Sequence, residues 1–136
     1  MKMRMMDTTK KKYIIKTQDS YNEKTFEIVE GSCKIDILGK YRQYSYRSKY
    51  GDSDISLLDD IITVVRKDKF NNSFEISFKG ERKKFSYEAD MLKGEFYTLG
   101  ENYSYDSESK IFSFVYKLFD LNFSEINRIS FFIKEI

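Results

Sequence analysis

Between Lys40 and Tyr50 the chain interleaves four cations, Lys40, Arg42, Arg47 and Lys49, with four tyrosines, Tyr41, Tyr44, Tyr46 and Tyr50. Cations that meet phosphates beside rings that stack on bases are what a single-stranded nucleic-acid surface needs. The same residues suit an anionic lipid such as a phosphoinositide, with Lys and Arg on phosphate and Tyr at the membrane interface. They also suit a protein hot spot, where Tyr and Arg are enriched. The purely structural use of the same pattern is an amphipathic strand whose rings cover the core while its cations keep the edge soluble. Just downstream, Asp52, Asp54, Asp59 and Asp60 form the densest acidic cluster. Alternating Asp52 and Asp54 offer oxygens of the kind that hold Ca²⁺ or Mg²⁺, yet Ser56 and Leu57 stand where an EF-hand needs a ligand and a turn glycine. No metal is therefore expected there, and the acids read as a solvated loop or as contacts for a basic partner.

Other chemistries are excluded by what is missing. The 136 residues contain no His, Trp or Pro and one Cys, against 11 Tyr and 12 Phe. Without His there is no Ser-His-Asp or Cys-His nucleophile and no Cys/His metal site. Cys33 has no partner for an intramolecular disulfide and no His to activate it, so it reads as a small buried apolar residue. The run Gly94–Gly100 has two glycines and no following Lys-Ser/Thr, so it is not a phosphate-binding loop. No carboxylate pair is singled out for glycoside chemistry. The expectation is a non-catalytic protein without a cofactor.

The elements that position these residues read mainly as strands. Phe74, Ile76 and Phe78 alternate with Glu75 and Ser77, and after Lys79-Gly80-Glu81 the pattern resumes at Arg82–Tyr87, which predicts a β-hairpin. A second hairpin is predicted from Thr25–Val29 through Glu30-Gly31 into Cys33–Leu38, and a third from Tyr103–Tyr105 through Asp106–Ser109 into Ile111–Tyr116. Ile61–Arg66 is a β-branched run that predicts a strand buried on both faces. Ser124–Ile136 is ambiguous. Ser124 is a good helix N-cap with Ile126, Ile129, Ile133 and Ile136 following at helical spacing, while Ile129, Phe131 and Ile133 also alternate as a strand. Residues 1–12 are polar and read as a flexible tail before a single β-rich domain over 13–136. The turn spacing predicts an antiparallel β-barrel or sandwich of hairpins, with a short C-terminal helix as the alternative for the last segment.

The runs Lys67–Phe70 with Phe74-Glu75-Ile76, Lys93-Gly94-Glu95-Phe96, Tyr103-Ser104-Tyr105 and Ile111–Phe119 resemble the tubby C-terminal-like domains, especially their LURP-one-related members. The likeness spans Ile61 to Leu121. It implies an antiparallel β-barrel without enzymatic activity, whose relatives bind phosphoinositide head groups or other partners through basic surface residues.

Net charge is only +2, but residues 1–50 carry 12 Lys/Arg against 6 Asp/Glu, while residues 51–136 carry 12 against 16. Such a division can steer association with an anionic partner, provided the halves do not interleave in the fold. Met1–Met6, interrupted by Lys2 and Arg4, is too short for the apolar core of a signal peptide, so a cytoplasmic location is expected. The leading functional expectation is a stoichiometric inhibitor of a protein effector, of the toxin-immunity or phage anti-defence (anti-CRISPR) type. The alternative is a module for anionic lipid or nucleic acid acting through Lys40–Tyr50. The candidate binding residues are Lys40, Arg42, Tyr44, Tyr46, Arg47, Lys49, Tyr50, Asp52 and Asp54. A homodimer through an exposed strand edge is a further option.

Overall fold

The computed structural model describes residues 10–36, 38, 40–49, 51–67, 72–89 and 92–136, with backbone alone for 87–89, 92 and 93. Ten antiparallel strands follow one another: β1 (Lys11–Gln18), β2 (Lys24–Ile35), β3 (Arg42–Ser48), β4 (Gly51–Leu58), β5 (Ile61–Arg66), β6 (Asn72–Ser77), β7 (Lys83–Ala89), β8 (Leu92–Asp106), β9 (Ile111–Phe119) and β10 (Glu125–Glu135). They form one sheet in the order β6-β5-β4-β3-β2-β1-β10-β9-β8-β7, curled into a nearly closed barrel. The first and last strands meet in its middle, with Tyr13 opposite Glu135 and Gln18 opposite Ser130. Among the described residues there is no helix, and none therefore long and apolar enough to cross a membrane.

One side of each strand fills the barrel. Tyr13 and Ile15, Val29 and Cys33, Tyr44, Ile55, Ile62 and Val64, Phe74 and Ile76, Phe112, Phe114 and Tyr116, and Phe131 and Ile133 make one buried core. Alternation puts these residues on one face because successive side chains of a strand point to opposite sides. Ring contacts run through the core: Phe114 stacks on Phe131 at 4.9 Å, Tyr44 on Phe112 at 5.6 Å, and Tyr13 meets Tyr44 edge-on at 5.9 Å. Such offset and edge-on pairs add to the burial of large apolar surface.

The edges β6 and β7 face each other across a seam with no backbone ladder. Side chains close it. Thr98, fully buried on β8, donates its hydroxyl hydrogen to the Glu75 carbonyl at 2.6 Å and lies 3.4 Å from the Lys83 carbonyl. Phe74 stacks on Phe85 at 5.0 Å, and Phe78 packs edge-on against Tyr103 at 4.9 Å. Edge-to-edge pairing with a second copy would have to open this seam.

Three expectations are corrected and one ambiguity is resolved. The Phe74–Tyr87 hairpin does not form, because its two strands are the opposite ends of the sheet. Gly80 does take the left-handed conformation, φ 87°, in the connection between them. The Thr25–Leu38 hairpin is instead the single strand β2, running straight through Glu30 and Gly31. Gly31 serves close approach and not a turn: a Cβ there would lie 2.4 Å from the Ser45 carbonyl oxygen and 2.8 Å from the Tyr46 Cβ. The C-terminal segment is β10 and not a helix, since β1 and β9 supply backbone partners on both sides and its alternating face completes the core. In β5, Ile62 and Val64 are buried but Ile61, Thr63 and Val65 are only half-buried, because a single-layered barrel has no second sheet to cover its outside. Lys11 and Lys12 belong to β1 and pair with β2, and residues 1–9 lie outside the described structure.

An ion cluster closes the rim where β10 ends. Lys11 Nζ lies 2.6 Å from one Glu135 oxygen and Lys110 Nζ 3.0 Å from the other. The hydrogen bond from Lys11 foremost, with that from Lys110, holds the Glu135 carboxyl below the usual glutamate range. A depressed folded pKa contributes stability above the unfolded value, and that stability is lost as pH falls through the folded value. Glu135→Gln is therefore expected to be less stable than the wild type at neutral pH and to lose less on acidification. Urea midpoints measured stepwise below pH 5 test this, and parallel curves for the two proteins would refute it.

Candidate functional site

The Lys40–Tyr50 stretch is divided by strand alternation. Tyr44 and Tyr46 face the barrel interior, Tyr44 buried against Phe112 and Tyr46 packed on the core. Arg42 faces inward as well, at the rim where β3 begins. Its guanidinium carbon sits 3.5 Å over the Tyr105 ring, and Nη1 donates to the Tyr44 hydroxyl at 3.1 Å. Burial, only partly opposed by Arg42, keeps the Tyr44 phenol protonated far above its ordinary range. Outside, Arg47 pairs with Asp52 across the β3–β4 hairpin at 3.1 Å, as their opposed register requires. The Lys49 amide donates to Glu27 at 2.8 Å, and Lys40 is exposed ahead of β3, its amide donating to Asp36. Asp54 is half-buried opposite Ser45. Tyr50 lies outside the described residues. Among the described residues, the inward and outward groups of this stretch thus do not form one basic-aromatic surface.

The acidic cluster is likewise dispersed. Asp59 and Asp60 are the two corner residues between β4 and β5, with φ of 53° and 61°. A two-residue hairpin turn of this kind needs positive φ at both positions, which Asp tolerates better than most residues. The Tyr103 hydroxyl from β8 donates to the Asp60 carboxylate, tying the turn to the far side of the rim.

A different basic-aromatic surface is present. On the outside of β2, β1 and β10, the positions facing away from the core between Lys24–Lys34, Lys12–Gln18 and Ser130–Lys134 carry five lysines, Lys12, Lys16, Lys24, Lys34 and Lys134, against one acid, Glu30. At its centre are Ile14, Phe26, Ile28 and Phe132. Phe26 and Ile28 are 61% and 57% exposed, too much for residues recruited to a core. Lys16 is opposite both Phe26 and Phe132, its ammonium 5.9 Å and 5.3 Å from their ring centres. The sequence hides this face because it is assembled from both ends of the chain. Its one visible signal is the lysine excess of the first 50 residues, which survives folding because β1, β2 and β3 are adjacent and do not interleave with later strands.

At the opposite rim from Arg42 the barrel is open. A cavity of about 350 Å³ enters there between β1, β2, β3, β4, β5 and β10, with Arg66, Tyr46 and Ser53 among its lining. Burial raises the Tyr46 pKa while the nearby Arg66 charge and the Ser53 hydrogen bond oppose it, and burial pushes Tyr116 deeper inside up to about 12. Both phenols are neutral donors at physiological pH.

No known family profile matches the chain, and no curated protein matches it in sequence. Its architecture is similar to that in the crystal structure of ywiB protein from Bacillus subtilis, with a TM-score of 0.68 and 13% identity over 97% of this chain and 95% of that chain. At that identity the likeness extends to the barrel fold.

Proposed function

We propose that this chain is a non-catalytic binding protein that engages an acidic macromolecular partner through the outer face of β2, β1 and β10. The leading form of this reading is a stoichiometric inhibitor of a protein effector in the cytoplasm. The observation that carries it is the exposed apolar centre, Phe26 and Ile28 beside Ile14 and Phe132, ringed by five lysines. An apolar centre within a polar rim is the usual anatomy of a protein interface, and contiguous exposed apolar surface is uncommon without a partner. The lysine rim selects an acidic partner surface and speeds encounter with it.

The test is purification of the tagged chain from its host, followed by direct affinity measurement with whatever partner is recovered in equimolar amount. The double variant Phe26→Ser/Ile28→Ser is expected to weaken that complex about 30-fold or more, as loss of a central anchor does. Equal affinity for the variant, or no equimolar partner, would overturn the inhibitor reading.

A second reading is favoured by the five-to-one lysine excess itself: a single-stranded nucleic acid or anionic lipid surface on the same face. Phosphate contacts weaken steeply as salt rises, whereas a packed apolar interface weakens little. Oligonucleotide or phosphatidylserine-vesicle binding that vanishes in Lys12→Glu/Lys16→Glu/Lys24→Glu would establish it in place of the first.

A further inference from the structure

The open rim carries a feature that the outer face does not use. Arg66 ends β5 on the face of Ile62 and Val64, and its side chain sits solvent-exposed at the mouth of the barrel. It lines the cavity with Tyr46 and Ser53, while Ile15 and Phe131 supply apolar wall. Among the described residues Arg66 makes no ion pair with a carboxylate. Glu27, the acid on the same lining, instead accepts the Lys49 amide at 2.8 Å. A guanidinium at the cavity mouth with no carboxylate partner among the described residues, beside the neutral hydroxyls of Tyr46 and Ser53, is arranged for an incoming anion, since charge-assisted hydrogen bonds to Arg are among the strongest available. The apolar wall beyond it suits a short hydrocarbon tail, and the volume falls at the lower end of small-molecule sites.

We infer that the open end of the barrel binds a small amphipathic carboxylate, its anionic head on Arg66 with Tyr46 and Ser53, and its apolar tail against Ile15 and Phe131. Phe26 borders both this cavity and the outer face, but the inference does not rest on the reading proposed for that face.

Octanoate and octanol, titrated into the full chain at low salt with amide chemical shifts as the readout, form the test. Saturable octanoate shifts at Ile15, Tyr46, Ser53 and Phe131 are expected, with octanol at least about tenfold weaker, the equivalent of one charge-assisted bond. Arg66→Met is expected to bring octanoate down to the affinity of octanol without altering octanol binding. If that variant does not fold, the wild-type preference for octanoate decides the matter. Absence of saturable shifts, equal binding of the two probes, or shifts confined to the outer face at Ile14 and Ile28 would each overturn the inference. Partner binding and octanoate binding are separate readouts, so failure of one is distinguishable from failure of the other.

Discussion

Phe114→Ala is expected to destabilise the protein by about 3–5 kcal/mol, the range for truncating a fully enclosed phenylalanine. Phe114 is 2% exposed at the middle of β9, stacked on Phe131 at 4.9 Å and flanked by Phe112 at 5.8 Å and Tyr116 at 6.1 Å. Its neighbours belong to strands held on both sides by backbone ladders, β8 and β10, so they cannot move inward to fill the space left behind. The cost should therefore include a cavity term in addition to lost transfer energy. Against a typical domain stability of about 5–15 kcal/mol, this leaves the variant marginal or unfolded near physiological temperature. Equilibrium urea unfolding, with m-values compared to the wild type, checks it. A loss under about 1 kcal/mol would mean that the aromatic core repacks freely.

The second large effect concerns Gly31→Ala, a change that ordinarily strengthens a strand by reducing the freedom of the unfolded chain. Here the opposite sign is expected. The added methyl would meet the Ser45 carbonyl oxygen at 2.4 Å and the Tyr46 Cβ at 2.8 Å, and both belong to the adjacent strand β3. Backbone cannot rotate away as a side chain can, so β2 and β3 must separate locally. A loss of about 3 kcal/mol, at the upper end of overpacking costs, is expected. Thermal and urea denaturation measure it, with hydrogen exchange at the Gly31–Tyr46 pair locating the damage. An unchanged or raised midpoint would show that the close approach of the two strands is not required.

Much of the fold was legible because strand burial has a period of two. Ile111–Tyr116, Tyr13–Lys16 and Ile61–Arg66 all show it, and all are strands in the structure. The all-antiparallel barrel followed from short strands separated by frequent turn signals, and the turn at Asp106–Ser109 fell where the sequence placed it. The misplaced features share one cause. Glycine marks both turns and close approaches, and nothing local distinguishes Gly31, which lets β3 come near, from Gly80, which turns the chain. Ser124–Ile136 carries helical and strand periods at once, and the choice was made by β1 and β9, more than a hundred residues away in one case.

For function, the amino-acid sequence alone set the chemical inventory: no histidine, one cysteine, abundant tyrosine and phenylalanine, and an excess of cations over acids in the first 50 residues. These follow from residue counts and need no geometry. Which aromatic residues meet solvent was decided only by tertiary structure. Tyr44 and Tyr46 lie beside cations in sequence, yet alternation along a curled sheet turns them inward. Phe26 and Phe132 lie 106 positions apart, yet pairing of the first and last strands places them on either side of Lys16. Neighbourhood in the chain fixes which way successive side chains point relative to each other; only closure of the barrel fixes which of those two directions is the inside.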